Sequence, residues 1–114
     1  MSLGSFGEKL AERFLINKGY KILERNFRCR QGEIDIIALD GIVLVFIEVK
    51  TRRNRKFGLP CEAITSEKLR HLKKAVAYYT MISSVEQYDM RIDVIEILIK
   101  DGKQYLHHLE NVQE

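Results

Sequence analysis

The sequence predicts an α/β fold in which a mixed sheet is flanked by helices, with elements in the order α-β-β-β-α-β-β. Two stretches carry apolar residues at helical spacing, and the runs between and after them are rich in Val and Ile. Two Asp-Gly pairs, Asp40-Gly41 and Asp101-Gly102, punctuate those runs as hairpin turns. At 114 residues the chain has enough material for one core and little for a second, so a single domain over residues 1–114 is expected.

The first element reads as a helix from about Ser5 to Lys18, closed by Gly19, with Phe6, Leu10 and Phe14 forming its apolar stripe. Ser5-Phe6-Gly7-Glu8 matches a capping box, which gives Glu8 a structural role. Glu8 also lies at the margin of the stripe, where it would enter a site at the edge of the core. Tyr20 to Arg28 reads as a strand, and Cys29 to Gly32 as a turn. A hairpin follows, Glu33–Leu39 and Ile42–Lys50, joined at Asp40-Gly41. Phe57 to Pro60 marks a break, with a short helical turn near Cys61–Ile64. Thr65 or Ser66 caps a second helix reaching about Met81, with Leu69, Leu72, Ala75, Val76 and Tyr79 inward. Met90–Lys100 and Gln104–Leu109 complete the sheet, and the second helix serves as the crossover into Met90–Lys100.

The hairpin carries the chemistry. A two-residue turn at Asp40-Gly41 pairs Leu39 with Ile42, Asp35 with Phe46 and Glu33 with Glu48. Side chains alternate along a strand, so Glu33, Asp35, Glu48 and Lys50 are expected on one face, at the end away from the turn. Any even-length loop preserves that result. Like charges opposed on a sheet repel, and a divalent cation shared by Asp35 and Glu48 would supply the missing charge. Lys50 would then hold an attacking water or stabilise phosphoryl charge. A solvated sheet end, with Lys50 ion-paired to a carboxylate, is the structural alternative.

Net charge is only +3, but its distribution is uneven. Five of the seven residues from Lys50 to Lys56 are basic, directly after the carboxylates, and Lys68, Arg70, Lys73 and Lys74 follow on the second helix. A basic surround with an acidic pocket suits a phosphodiester held by its backbone; a solvated charged loop is the bland alternative. Ile42–Ile47, the longest apolar run, is too short to cross a bilayer, and no secretory signal is in view. Cys29 and Cys61 lack metal spacing and suit a reducing cytoplasm. His71, His107 and His108 have no zinc-ligand spacing with them, and no glycine-rich phosphate loop or nucleophile elbow occurs.

Asp35, twelve residues, then Glu48-Val49-Lys50 resembles the bipartite motif of the PD-(D/E)xK nucleases, and the α-β-β-β-α-β order resembles their restriction-endonuclease-like core. Gly7-Glu8 with Ala11, Gly19-Tyr20, Arg25-Asn26, Gly32 to Ala38, Phe46 to Arg52, Phe57-Gly58, Lys68 and Arg91 to Val94 make a fuller set. That set resembles the YraN-like family of small bacterial proteins, which is similar to archaeal Holliday-junction resolvases.

The resemblance implies that Asp35 and Glu48 bind Mg²⁺ or Mn²⁺ with the Val49 carbonyl, that Lys50 orients the water, and that Glu8 completes the pocket. It implies a metal-dependent endonuclease acting on DNA, branched or structured; the basic loop and second helix, through Arg52, Arg53, Arg55, Lys56 and Lys68, would grip the phosphates of that substrate. Glu33 and Arg91 form a second tier without a settled role. Ile34 stands where the superfamily motif has Pro. Resolvases act as two-fold dimers, so the resemblance extends to a homodimer. The competing classes are a nucleic-acid-binding module that does not cleave and a protein-interaction scaffold.

Overall fold

A computed structural model describes residues 2–53 and 64–113. In chain order it contains α1 (Leu3–Asn17), β1 (Lys21–Cys29), β2 (Gly32–Asp40), β3 (Val43–Arg53), α2 (Ser66–Ile82), β4 (Asp89–Lys100) and β5 (Lys103–Leu109). This is the expected α-β-β-β-α-β order with one extra strand. Arg55, Lys56, Cys61 and most of the helical turn expected near Cys61–Ile64 lie outside the described residues.

The five strands form one open sheet in the order β1-β2-β3-β4-β5. Only β3 and β4 run parallel, with α2 as the crossover between them; the other neighbours are antiparallel. β3 is buried on both faces, which is why Val43–Ile47 reads as an unbroken apolar run rather than an alternation, while Ile42 before it is exposed in the turn. Val45 and Ile47 pack with Ala11 and Leu15 of α1, while Leu44 and Phe46 pack with Leu69, Leu72, Ala75 and Tyr79 of α2. The helices therefore cover opposite faces.

Three local expectations are corrected. Helix α1 starts at Leu3 with Ser2 as its cap, whose hydroxyl accepts from the Ser5 amide. Ser5 is thus inside the helix, no capping box forms at Ser5–Glu8, and Glu8 is released from a capping role. The first hairpin turns at Gly41-Ile42, since Asp40 pairs with Val43. Gly41 has φ +61°, as the first central position of a type II′ turn requires, whereas β-branched Ile42 avoids positive φ. Register consequently moves by two residues, Ile37 meeting Phe46 in place of Leu44, and the even shift leaves every β3 side chain on its expected face. The third correction concerns β2 and belongs to the site. The second hairpin turns at Asp101-Gly102 as expected, with φ +51° and +73° at its central residues.

Close packing of α1 against β3 depends on Gly7. A β-carbon there would lie 1.8 Å from Thr51 Oγ1 and 3.0 Å from Thr51 Cβ. Only glycine lets the first turns of α1 settle on β3, and that contact carries Glu8 to the rim of the sheet.

Candidate active site

Strands β2 and β3 pair from the Gly41-Ile42 turn as far as Ile36–Ile47. One step beyond stand Asp35 and Glu48, where recorded pairing stops although both strands continue. Asp35 Oδ2 accepts a 2.8 Å hydrogen bond from the Val49 amide across this gap. In an extended strand a residue's N–H and C=O point to the same edge, so the Val49 carbonyl also opens towards Asp35. Both carboxylates are only 8% exposed. Burial and the adjacent Glu48 carboxylate push Asp35 up to about 7, despite the Val49 hydrogen bond that favours its ionised form.

Strict alternation fails at Asp35, and β1 shows why. The β1–β2 ladder pairs Arg25 with Ile36 and Phe27 with Ile34, passing over the level of Asn26 and Asp35. Ile36 packs with the α1 cluster and Arg25 pairs with Glu12 of α1. Two residues away Ile34 packs with the α2 cluster, and the Phe27 ring meets Tyr79 of α2 at 5.2 Å. Both strands roll over between these levels, and Asn26 sits at the roll with φ +52°. Glu33 stands at the exposed margin of the site, 60% exposed and paired to Arg28 at 3.3 Å, while its charge still reaches Asp35 and Glu8.

Glu8 flanks the other side of Asp35. Together with Ser5, Asn26 and Ile36 they line a cleft of about 220 Å³. Burial first, then the charges of Asp35 and Glu33, raise Glu8 above its ordinary value, and a side-chain hydrogen bond from Asn26 opposes the shift. Lys50 is half-buried on the Glu48 face, and burial followed by the neighbouring Arg52 lowers it below the usual lysine range.

The basic residues divide. Lys68 Nζ lies 3.2 Å from Glu48 Oε1. Arg52 turns inward instead of towards solvent, its Nε 3.3 Å from Oε2 of the buried Glu96. Among the described residues, neither of those two atoms completes a hydrogen bond. Arg53 is exposed at the end of β3. Arg91 is remote from the carboxylates: it pairs in register with Val45 and bonds Asp93 at 3.1 Å and Tyr20 at 2.6 Å. Burial disfavours its charge, but Asp93 outweighs that and holds Arg91 above its usual range. This is a structural network, closed by a 2.7 Å contact from His108 to Asp93.

Sequence reasoning gave no role to Asn26 and Glu96. An Asn inside a strand pattern is a signal for left-handed backbone, and Glu96 interrupts the apolar run Val94–Leu98.

Among the described residues, no group of three or more His, Cys, Asp or Glu side chains is disposed to hold a metal ion. Two oxygen-rich carboxylates and an adjacent carbonyl nevertheless fit Mg²⁺, which keeps several waters and takes one or two carboxylates from a protein. Among the same residues no helix is long and apolar enough to cross a membrane.

The model of the uncharacterised protein family UPF0102 matches residues 7–97. The chain belongs to that family. UPF0102 is the YraN-like group that the sequence motifs resemble. A UPF0102 protein of Caldicellulosiruptor bescii is 53% identical over 102 residues, covering 89% of this chain and 85% of the relative. One from Syntrophomonas wolfei is 46% identical over 109 residues, covering 96% and 95%. Another, from Alkaliphilus metalliredigens, is 41% identical over 110 residues, 96% of each chain. The UPF0102 match spans Glu8, Asn26, Asp35, Glu48, Lys50 and Glu96, whereas β5 lies beyond it.

Proposed function

We propose that this protein is a metal-dependent endonuclease that hydrolyses phosphodiester bonds of DNA, with branched or structured DNA as its substrate. The observation that supports this reading best is the enforced proximity of Asp35 and Glu48. Two buried carboxylates side by side are costly, and Asp35 is pushed to about 7. A cation removes that cost.

Mg²⁺ or Mn²⁺ would be held by Asp35, Glu48 and the Val49 carbonyl. When bound, the ion supplies Lewis-acid stabilisation at the phosphate and makes its water a better nucleophile. Lys50, two residues beyond Glu48 on the same face, orients the attacking water with its ammonium. Glu8 accepts a hydrogen bond from water in the cleft beside Asp35. Lys68 and Arg53 hold backbone phosphates, a sequence-independent grip that suits recognition of shape. The likeness to resolvases extends the proposal to a homodimer, in which two copies of the site meet two strands.

The test is cleavage of a four-way DNA junction against a linear duplex of the same sequence, with Mg²⁺, Mn²⁺ or EDTA. Metal-dependent cleavage of the junction, lost in Glu48→Gln, is expected. Equal cleavage by Glu48→Gln would defeat the assignment. The Lys68–Glu48 ion pair favours a second reading, a nucleic-acid-binding module in which lysine permanently neutralises the carboxylate. That reading predicts salt-sensitive binding without cleavage and without dependence on divalent metal.

A further inference from the structure

Asn26 is exposed on a strand, yet three separate features converge on it. Its backbone is left-handed, a conformation that costs most residues and is tolerated by Asn. It stands at the level of Asp35 in the β1–β2 ladder, where no pair is recorded and both strands change faces. Its side chain lines the cleft with Glu8 and Asp35, where the amide favours the ionised form of the Glu8 carboxylate. A regular β1 would keep Arg25 and Phe27 on one face; here one points to α1 and the other to α2.

We propose that Asn26 is a positioning residue of the site: its left-handed backbone sets the roll that delivers Asp35 into the gap beside Val49, and its side-chain amide holds Glu8 alongside. The inference rests on the metal-site reading above and deepens it, because it assigns to one residue the relative placement of acids from α1 and β2. Backbone and side chain contribute separately, so they separate by mutation. Glycine keeps the left-handed backbone without strain and deletes the amide. Valine disfavours that backbone as well, since a β-branched residue resists positive φ.

The experiment is calorimetric Mn²⁺ binding together with thermal melting for wild type, Asn26→Gly, Asn26→Val, Glu8→Gln and the Asn26→Gly/Glu8→Gln double variant. Asn26→Gly is expected to melt close to wild type and to bind Mn²⁺ about threefold or more weakly, the weight of one hydrogen bond. In the Glu8→Gln background the same change is expected to cost nothing further, because its only route to the metal is gone. Asn26→Val is expected to lose both midpoint and affinity. Wild-type affinity in Asn26→Gly, or an equal loss in both backgrounds, would overturn the hold of the amide on Glu8, and wild-type affinity in Asn26→Val would overturn the backbone role. Absence of Mn²⁺ binding in the wild type would overturn the metal site and this inference with it.

Discussion

The Lys68 ammonium lies 3.2 Å from Glu48 Oε1, so a cation from α2 already stands against the carboxylate that β3 contributes to the site. A divalent ion must compete with it. Lys68→Met is therefore expected to raise Mn²⁺ affinity while weakening DNA binding. The lysine side chain is 59% exposed, which screens the pair, so the gain is about two- to fivefold, matching about 0.4–1 kcal/mol. Titration calorimetry reads the first effect and a salt series of DNA binding the second. Unchanged or reduced Mn²⁺ affinity would show that Lys68 does not oppose the metal.

Asp35 makes the stability of the metal-free protein depend on pH. Its folded value of about 7 stands above the ordinary 3.8, so between those values the native state binds more proton than the unfolded chain. Stability from this group is fully present at low pH and is lost as pH rises through about 7. Asp93 and Glu12 are held below their ordinary values of 3.8 and 4.5, so their opposite contribution is largely in place by about pH 5. The protein is expected to melt higher at about pH 5 than at about pH 8. Each 1 kcal/mol moves the midpoint of a domain this size by about 4 °C. Asp35→Asn should abolish this component, and saturating Mn²⁺ should oppose it, because the ion takes the deprotonated carboxylate. A pH difference unaltered by Asp35→Asn would assign it to other groups.

Gly7→Ala tests the seating of α1. The added carbon meets Thr51 Oγ1 at 1.8 Å, and overpacking of this kind costs about 1–3 kcal/mol. Gly4→Ala is the control: its β-carbon finds only Ser2 Oγ, at 4.0 Å. Thermal melting should show a clear loss for the first and little change for the second. Equal effects would mean that α1 does not rest on β3 through Gly7.

Asp93 is fully buried and accepts from Arg91, from the Asn111 amide and from His108. Asp93→Ala leaves those groups without their acceptor and is expected to cost about 3–5 kcal/mol. Denaturant unfolding measures that loss. Mn²⁺ affinity of the folded protein should stay unchanged, since Asp93 stands opposite Ile47 on the α1 side of the sheet whereas Glu48 faces Lys68 of α2. A variant as stable as wild type would remove the network from the stability of the fold.

Element order was legible in the sequence because periodicity and turn chemistry agreed along most of the chain. Helix α2 begins at the expected Thr65 cap, and Asp101-Gly102 turns the second hairpin. The faces of Glu48 and Lys50 were legible too, since a two-residue change of register preserves parity. What escaped was non-local. The roll at Asn26 and Asp35 arises from two strands twisting together, and no alternation rule in β2 alone contains it. The inward turn of Arg52 depends on Glu96, forty-odd residues later in the chain, brought near by the parallel β3–β4 register. Ser2 displaced Ser5 as the cap because Leu3, Gly4 and Ser5 extend the helix by most of a turn, which the apolar stripe starting at Phe6 does not reveal.

The most direct test of the central claim is Mn²⁺ binding by calorimetry, wild type against Asp35→Asn, with cleavage of a four-way DNA junction followed in the same samples. One site in the wild type, lost in the variant together with cleavage, is the predicted result. Wild-type protein that takes up no Mn²⁺, or an Asp35→Asn variant that binds it equally well, would contradict a metal site built on Asp35 and Glu48.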